Sequence, residues 1–405
     1  MWFLLRLAGR NLARNKLRTF ITSASVVAGV ALMILGWGLV DGMDENFLRS
    51  ARTTYAGEVL LRPSDYPDDG VRFPLDESLP IPDTLRMELD KAGRWTARAA
   101  FPARIVKGAD ADRVVMWAYD ENTETTVFDR ARWMIEGAWP TSGANEIAAG
   151  WAFARLMHLA VGDEVVVEAR TRSGAINALT YTLSGILHTD NAGLDNGGTW
   201  MEMATAENLV HLEGARTHIA VLPPDGAARA MEVEATLSRD GWQGLTLNSE
   251  CEDMLAINRI RRRALAVVVG MIMAIAATGI ANTVIMAAYE RVREIGTLLA
   301  LGMPRTQVQV LFLLEGAILG LVAGGLGAGI GGSLVYHWQV NGFSVGEQVM
   351  EASGSMAVSQ YIYTQFGWAP TLFSVGFGVV ISLLASLWPA HNASRIVPAE
   401  AVRAD

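Results

Sequence analysis

Four stretches of this chain are too long and too apolar to belong to an ordinary soluble core. Thr19–Val40 carries no charge over 22 positions, enough to cross about 30 Å of hydrocarbon as a helix. Ala264–Tyr289 is a second uncharged run, and Thr306–Trp338 is a third, interrupted only by Glu315. Residues 352–390 also lack charge, and 370–388 is read as the fourth span. A cleaved signal peptide has a shorter apolar region and a small-residue cleavage site, so the first run is read as a retained anchor. Composition agrees, with 51% hydrophobic and 19% charged residues, against roughly 25% charged in soluble proteins. Residues 41–263 are then a large soluble unit between the first and second spans.

Charge sets the expected orientation. In residues 1–18, Arg6, Arg10, Arg14 and Arg18 recur every four positions opposite Trp2, Leu5 and Leu12. That pattern predicts an amphipathic helix lying on an anionic leaflet. The 290–305 loop and the 389–405 tail, with Arg395 and Arg403, hold basic residues; the 339–369 loop has Glu347 and Glu351 and no Arg or Lys. Positive-inside logic puts both termini in the cytoplasm and the large unit outside. Arg259, Arg261, Arg262 and Arg263 run against that rule, just before the second span. They read either as a stalk end meeting lipid headgroups or as a site for an anionic lipid or an acidic partner.

Several chemistries are excluded or unsupported. A net charge of -9 lacks the basic face a nucleic-acid partner needs. Cys251 is the sole cysteine, so neither an intrachain disulfide nor a Cys-based zinc site can form. No Gly-Lys pair occurs, which removes the ATP-binding P-loop, and no H-E-x-x-H occurs. His211 and His218 are seven apart, but Gly214 breaks any helix between them; they read as solvated, and no metal is expected.

Within 41–263, strand-like runs at 58–61, 114–118, 164–169, 180–187 and 218–222 alternate with helix-like patterns at 82–92, 151–159 and 225–239. This predicts an α+β unit, long enough to hold two lobes. Residues 63–82 form a Pro/Asp-rich loop, and 41–52 extends the first span as helix.

The stretch Glu290–Pro304, E-R-V-R-E-I-G-T-L-L-A-L-G-M-P, lies between two spans yet carries four charges. It is expected to be a short surface helix. Glu290, Arg291, Arg293 and Glu294 would make polar contacts, while Ile295, Leu298, Leu299 and Leu301 seat it, with Gly296 and Gly302 in the same stretch. Glu315, in the third span, is read as structural at the bundle's inner surface, since no second intramembrane carboxylate accompanies it. Gly327-Ala-Gly-Ile-Gly-Gly332 matches G-x-G-x-x-G but has no preceding strand. Helix packing explains this segment better, because Gly316, Gly320 and Gly324 recur every four residues, as do Gly325 and Gly329.

Taken with the E-R-x-R-E-I-G-x-L-x-A-L-G loop, the order of one span, outer domain and three spans resembles the FtsX-like permeases of ABC transporters. Residues 10–18, Glu315-Gly316, and Pro389-Ala390 through Arg395, Pro398, Ala401 and Arg403 look like that family's arm, third span and tail. His391 and Asn392 stand where basic residues are common. Residues 146–156, Val161-Gly-Asp163 and Ser184–Leu187 resemble the MacB-like periplasmic core. Tyr119-Asp120, Glu124, Gly137–Trp139, the segment 185–189 and Asp195 look closest to the lipoprotein-releasing (LolC/LolE) branch.

The resemblance implies four transmembrane helices with a large α+β periplasmic domain between the first and second, both termini cytoplasmic, in the inner membrane. It makes 290–305 the coupling helix that docks on a separate ATPase, which would carry ATP and Mg and be present in two copies. The chain itself would be non-enzymatic and hold no cofactor. A second permease, identical or homologous, membrane lipids, and a periplasmic adaptor or lipoprotein carrier are the other implied partners. Extraction of lipoprotein or lipid-like cargo is the first reading. Amphiphile efflux with an adaptor, or a signal relay to a periplasmic hydrolase, are the alternatives.

Overall fold

The computed structural model describes residues 6–10, 16–67, 73–189, 191–290, 292–344 and 361–395. It divides into a helical unit (residues 1–44, 256–343 and 361–405) and an outer unit (45–255 and 344–360).

In chain order, α1 (Lys16–Ala51) ends in a π turn, Arg52–Ala56, before β1 (Val59–Pro63) and β2 (Leu79–Pro80). Then come α2 (Asp83–Ala92), β3 (Arg94–Lys107), β4 (Asp110–Tyr119), α3 (Glu121–Val127), a 3-10 turn at Arg130–Trp133 and β5 (Met134–Gly137). They are followed by β6 (Glu146–Gly150), α4 (Trp151–Leu156), β7 (Glu164–Arg170), β8 (Ile176–Leu187), α5 (Ala192–Gly197) and β9 (Gly198–Glu202). The outer unit finishes with α6 (Met203–Val210), β10 (Ala215–Arg216), β11 (His218–Leu222), α7 (Ala230–Leu237), β12 (Trp242–Thr246) and α8 (Leu247–Glu250). The remaining helices are α9 (Glu252–Glu290), α10 (Val292–Ala300), α11 (Arg305–Asn341) and α12 (Trp368–Ser394). Four helices, α1, α9, α11 and α12, are long and apolar enough to cross a membrane.

The outer unit is built on one mixed ten-stranded sheet in the order β12-β1-β11-β3-β4-β9-β6-β8-β5, with β7 joined to both β3 and β8. Because β7 bridges those two strands, β3-β4-β9-β6-β8-β7 closes into a ring. Alternation explains how it fills: β7 reads E-V-V-V-E-A-R, and Val165, Val167 and Ala169 point inward. Phe101, Ile105, Met116, Ile147, Tyr181, Leu183 and Met201 complete that core. A second core lies where β1 and β11 meet α2 and α7, through Leu61, Leu85, Leu89, Val221, Val233 and Leu237. The two lobes expected from length thus share one sheet, which also carries clusters around Trp117, Tyr119 and Trp200 and around Leu60 and Leu247.

β3 serves both cores. Its first half, Arg94–Arg98, pairs with β11, and its second, Ala103–Val106, pairs with β7. Pro102, which has no N–H to donate, falls between those two partners. That placement lets a proline sit inside a long central strand.

In the helical unit, α11 and α12 meet through small residues. A Cβ added at Gly320 would lie 2.8 Å from Ser382 Oγ and 2.9 Å from Val379 Cα; one at Gly316 would collide with Ser386 Oγ. Ser382 and Ser386 return their hydroxyl protons to the carbonyls of Gly378 and Ser382, each at 2.8 Å. Their donors are thereby satisfied within α12, and they present only a small surface to the partner helix.

Candidate functional site

α10 is the short helix between two spans. Its C-terminal end is fixed by a Schellman motif: Met303 N donates to Leu298 O at 3.0 Å and Gly302 N to Leu299 O at 3.1 Å. Gly302 adopts φ +92°, a left-handed conformation that glycine takes without Cβ strain. Pro304 follows and caps α11, whose Gln307 N donates to Pro304 O at 2.9 Å. The sequence L-G-M-P therefore ends one helix and starts the next within four residues, leaving no slack loop.

The helix is two-faced. Ile295 and Gly296 are buried, and Ile295 and Leu299 pack in the cluster that contains Ala288, Val308, Phe312, Ala390 and Ala393. Leu298 is half-buried; Arg293, Glu294 and Thr297 lie on the exposed side, and Glu290, the last residue of α9, is also exposed. Arg291 lies outside the described residues. Leu301 is 85% exposed and does not pack with Ile295 and Leu299. At about 100° per residue it falls roughly 120° from Ile295 around the axis, too far to share the seating face. An exposed leucine beside Arg293, Glu294 and Thr297 gives this surface an apolar element that charge patterning had not indicated.

The five glycines expected to pack helices divide. Gly316, Gly320 and Gly324 face α12, the last with Val375 at 3.3 Å, whereas a Cβ at Gly325 or Gly329 meets nothing within 4 Å. Instead, Gly327 and Gly331 face α1: a Cβ added at Gly327 would lie 2.7 Å from Val27 O, and one at Gly331 2.9 Å from Ala31 Cα. Their own four-residue spacing was the available signal. Gly29 and Gly36 of α1 in turn meet Met273 and Leu265 of α9. Glu315 is buried on α11 beside this interface.

The arginine group of α9 is not a uniform basic patch. Arg262 Nη2 pairs with Asp41 and, at 3.4 Å, with Asp44 of α1. Asn258 Nδ2 donates to Asp44 Oδ1 at 2.6 Å, and Arg261 Nη1 to Asn258 Oδ1 at 3.1 Å. Asp41 and Asp44, three apart on α1, offset part of the charge that runs against the positive-inside pattern. Arg259, Arg261 and Arg263 also lie on exposed surface.

In the outer unit, Arg98 and Glu124 form a salt bridge with both side chains 2% exposed. Arg98 Nη1 also donates to Thr54 O at 2.7 Å, and its guanidinium lies 4.1 Å from the Phe128 ring centre. His218, expected to be solvated, is buried on β11. Burial first, then the charges of Arg62 and Arg98, push its pKa down to about 3. The strand alternation of β11 places it inward, among the rings of Tyr66, Phe73 and Trp117. His188 Nδ1 meets Asp195 Oδ2 at 2.7 Å, and Asp195 Oδ1 accepts from Thr189 N at 2.7 Å and Thr189 Oγ1 at 2.8 Å. This ordered knot lies in the segment that carried the family resemblance. Gly342-Phe-Ser344-Val-Gly346 has the G-x-S-x-G spacing of a hydrolase, a match the sequence reading missed. Ser344 lies in a two-residue strand, Phe343–Ser344, directly after α11; the motif needs that strand to turn into a helix, and Gly346 lies outside the described residues. Among the described residues no His, Cys, Asp and Glu cluster could hold a metal ion.

The model of the MacB-like periplasmic core domain matches residues 19–237, more than half of the chain, and that of the FtsX-like permease C-terminal region matches 266–398. The macrolide export ATP-binding/permease protein MacB of Shewanella sp. (strain ANA-3) is 20% identical over 440 residues, covering 98% of this chain and 60% of that protein. LolC, a lipoprotein-releasing system transmembrane protein of Haemophilus influenzae, is 24% identical over 145 residues, 36% of this chain and 34% of its own. The chain thus spans less than two thirds of these relatives. The extracellular domain of the transporter YknZ from Gram-positive bacteria aligns at 12% identity and TM-score 0.32, over 47% of this chain and 98% of that one. That likeness is too slight to carry weight. With both halves matched in the expected order, this chain belongs to the FtsX-like permeases with a MacB-like periplasmic core.

Proposed function

We propose that this chain is the permease subunit of an ABC transporter in the inner membrane, with α10 as the coupling helix that docks on a separate ATPase subunit. The single observation supporting this is the build of α10: an exposed face with Arg293, Glu294 and Leu301, seated by Ile295 and Leu299 and locked at its C-terminal end by Gly302. A surface tied this closely to two spans transmits displacement that a loose loop would absorb. Two ATPase copies, carrying ATP and Mg, and a second permease complete the proposed assembly. Both termini are cytoplasmic in this reading. Its work is extraction of lipoprotein or lipid-like cargo from the membrane, with the outer unit moved by α1 and α9.

A second reading, export of a small amphiphile with a periplasmic adaptor, is favoured by the MacB match across 98% of the chain. Affinity purification from the native membrane tests the shared part. The wild-type chain is expected to bring down an ABC ATPase, and Arg293→Glu with Glu294→Lys to lose it while still inserting. An ATPase retained at the wild-type level by that variant contradicts the coupling assignment. Acylated protein in the eluate favours the first cargo, and an adaptor without acylated protein favours the second.

A further inference from the structure

The N-terminal part of α9 has two sides. Asn258, Val269 and Met273 are buried, and Arg262, on the same side of the axis, pairs with Asp41 and Asp44 of α1. Arg261 is tied to Asn258 at 3.1 Å. Arg263 leaves the axis about 100° from Arg262, and among the described residues its side chain forms no hydrogen bond or ion pair. It belongs to a row of residues four apart, Arg259, Arg263, Val267, Met271 and Ile275, all exposed. Residues at that spacing form one ridge on a helix surface. Charge ends at Arg263, and Val267, Met271 and Ile275 below it are 63, 57 and 72% exposed. From 263 to 275 the ridge descends about 18 Å, against about 15 Å for half of a hydrocarbon core. Arg259, Arg261, Arg262 and Arg263 against Asp41 and Asp44 leave a local surplus of two positive charges, in a chain whose net charge is -9.

We propose that this ridge binds an anionic glycerophospholipid of the leaflet at the N-terminal end of α9. The phosphate sits on Arg263 and Arg259, and one acyl chain runs along Val267, Met271 and Ile275. A guanidinium offers phosphate oxygens paired, charge-assisted hydrogen bonds. A zwitterionic headgroup brings its own cation to the same place, where the surplus positive charge opposes it. A second copy of this chain is the rival occupant. In a parallel pair with its axis along the membrane normal, the ridge would meet itself and set Arg263 against the same residue of the copy. Charge complementarity therefore favours the lipid. The assignment stands apart from the coupling and cargo readings, since it needs neither an ATPase nor a transported substrate.

Diazirine photocrosslinking of the full chain in nanodiscs of equimolar phosphatidylglycerol and phosphatidylcholine tests it, with lipid adducts identified by mass spectrometry. The probe is placed at position 267 or, as a control on α11, at position 321, which is 61% exposed. Position 267 is expected to take phosphatidylglycerol over phosphatidylcholine by at least about threefold, and position 321 to take the two in bulk proportion. Arg259→Gln with Arg263→Gln should return position 267 to bulk proportion while Arg262 keeps its partners on α1. An unchanged lipid yield at position 321 in that variant shows that the chain is still inserted. With all four arginines in place, about 1 M salt should also shrink the excess by screening, a reading that needs no substitution. Bulk proportion at position 267 with the arginines intact, or an excess that survives both the double substitution and the salt, would overturn the proposal. A chain-to-chain adduct in place of lipid at position 267 would overturn it too and give the ridge to a second copy.

Discussion

The helical unit and the outer unit bury their chains with different materials. Where α11 meets α12, the contact is Gly316, Gly320 and Gly324 against Ser382, Ser386 and Val375. In the outer unit one layer is aromatic, with Trp117, Tyr119, Phe128, Trp133 and Trp200 buried together, and its Trp117 and Phe128 rings flank Arg98 of the Arg98–Glu124 pair. Lipid is as apolar as leucine, so bulk adds no hydrophobic gain between helices and close backbone approach must hold them. In water, each Å² of apolar area buried contributes about 25 cal/mol, and large rings contribute most. The outer unit can therefore enclose a charged pair within a thick apolar layer. A comparable pocket in the helical unit would have to displace the contacts that hold it together.

The largest expected effect is on the buried pair. Glu124→Ala leaves Arg98 charged and without its carboxylate, and should destabilise the outer unit by about 3–5 kcal/mol. Urea unfolding followed by tryptophan fluorescence measures this. The matching change in the helical unit is Gly320→Val, whose Cβ meets Ser382 and the Val379 backbone below 3 Å. It should cost about 1–3 kcal/mol, read as earlier loss of α11–α12 crosslinks on detergent titration. Gly325→Val, with open space around its Cβ, should leave those crosslinks unchanged.

Acid should act on the outer unit. His218 is depressed from 6.5 to about 3 when folded, so between those values the unfolded chain binds the extra proton. The stability from burying a neutral imidazole is complete above pH 6.5 and is lost as pH falls towards 3. By pH 5.5 the loss is about 1.4 kcal/mol, and His218→Phe should flatten that dependence in urea titrations at pH 7.5 and 5.5. The smallest effect is expected at the surface pair of Arg104 and Glu168, 3.2 Å apart and well exposed. Arg104→Ala should change stability by about 0–1 kcal/mol.

These contrasts also explain what the sequence could disclose. The strand His218–Leu222 was legible from residue type and turn spacing, as was a helix over 83–92. β3 was not, because A-R-A-A-F-P-A-R lacks clean alternation and Pro102 argues against a strand; only its change of partner from β11 to β7 makes room for the proline. The seating of α10 by Ile295 and Leu299 was legible from helical period, but Leu301 lies at the helix end, where the period no longer predicts burial. Gly327 and Gly331 carried a readable spacing, yet which helix each glycine faces depends on where α1 and α12 lie around α11. The pairing of Arg262 with Asp41 joins residues more than two hundred positions apart, and no local pattern specifies it.

The most direct test of the coupling assignment is photocrosslinking from α10 in native membranes. A diazirine side chain at position 301, exposed at the C-terminal end of α10, is compared with one at position 321, exposed on α11. The account predicts an adduct with an ABC ATPase subunit from position 301 and none from position 321. No ATPase adduct from position 301 in fully assembled membranes, or equal yields from both sites, would contradict it.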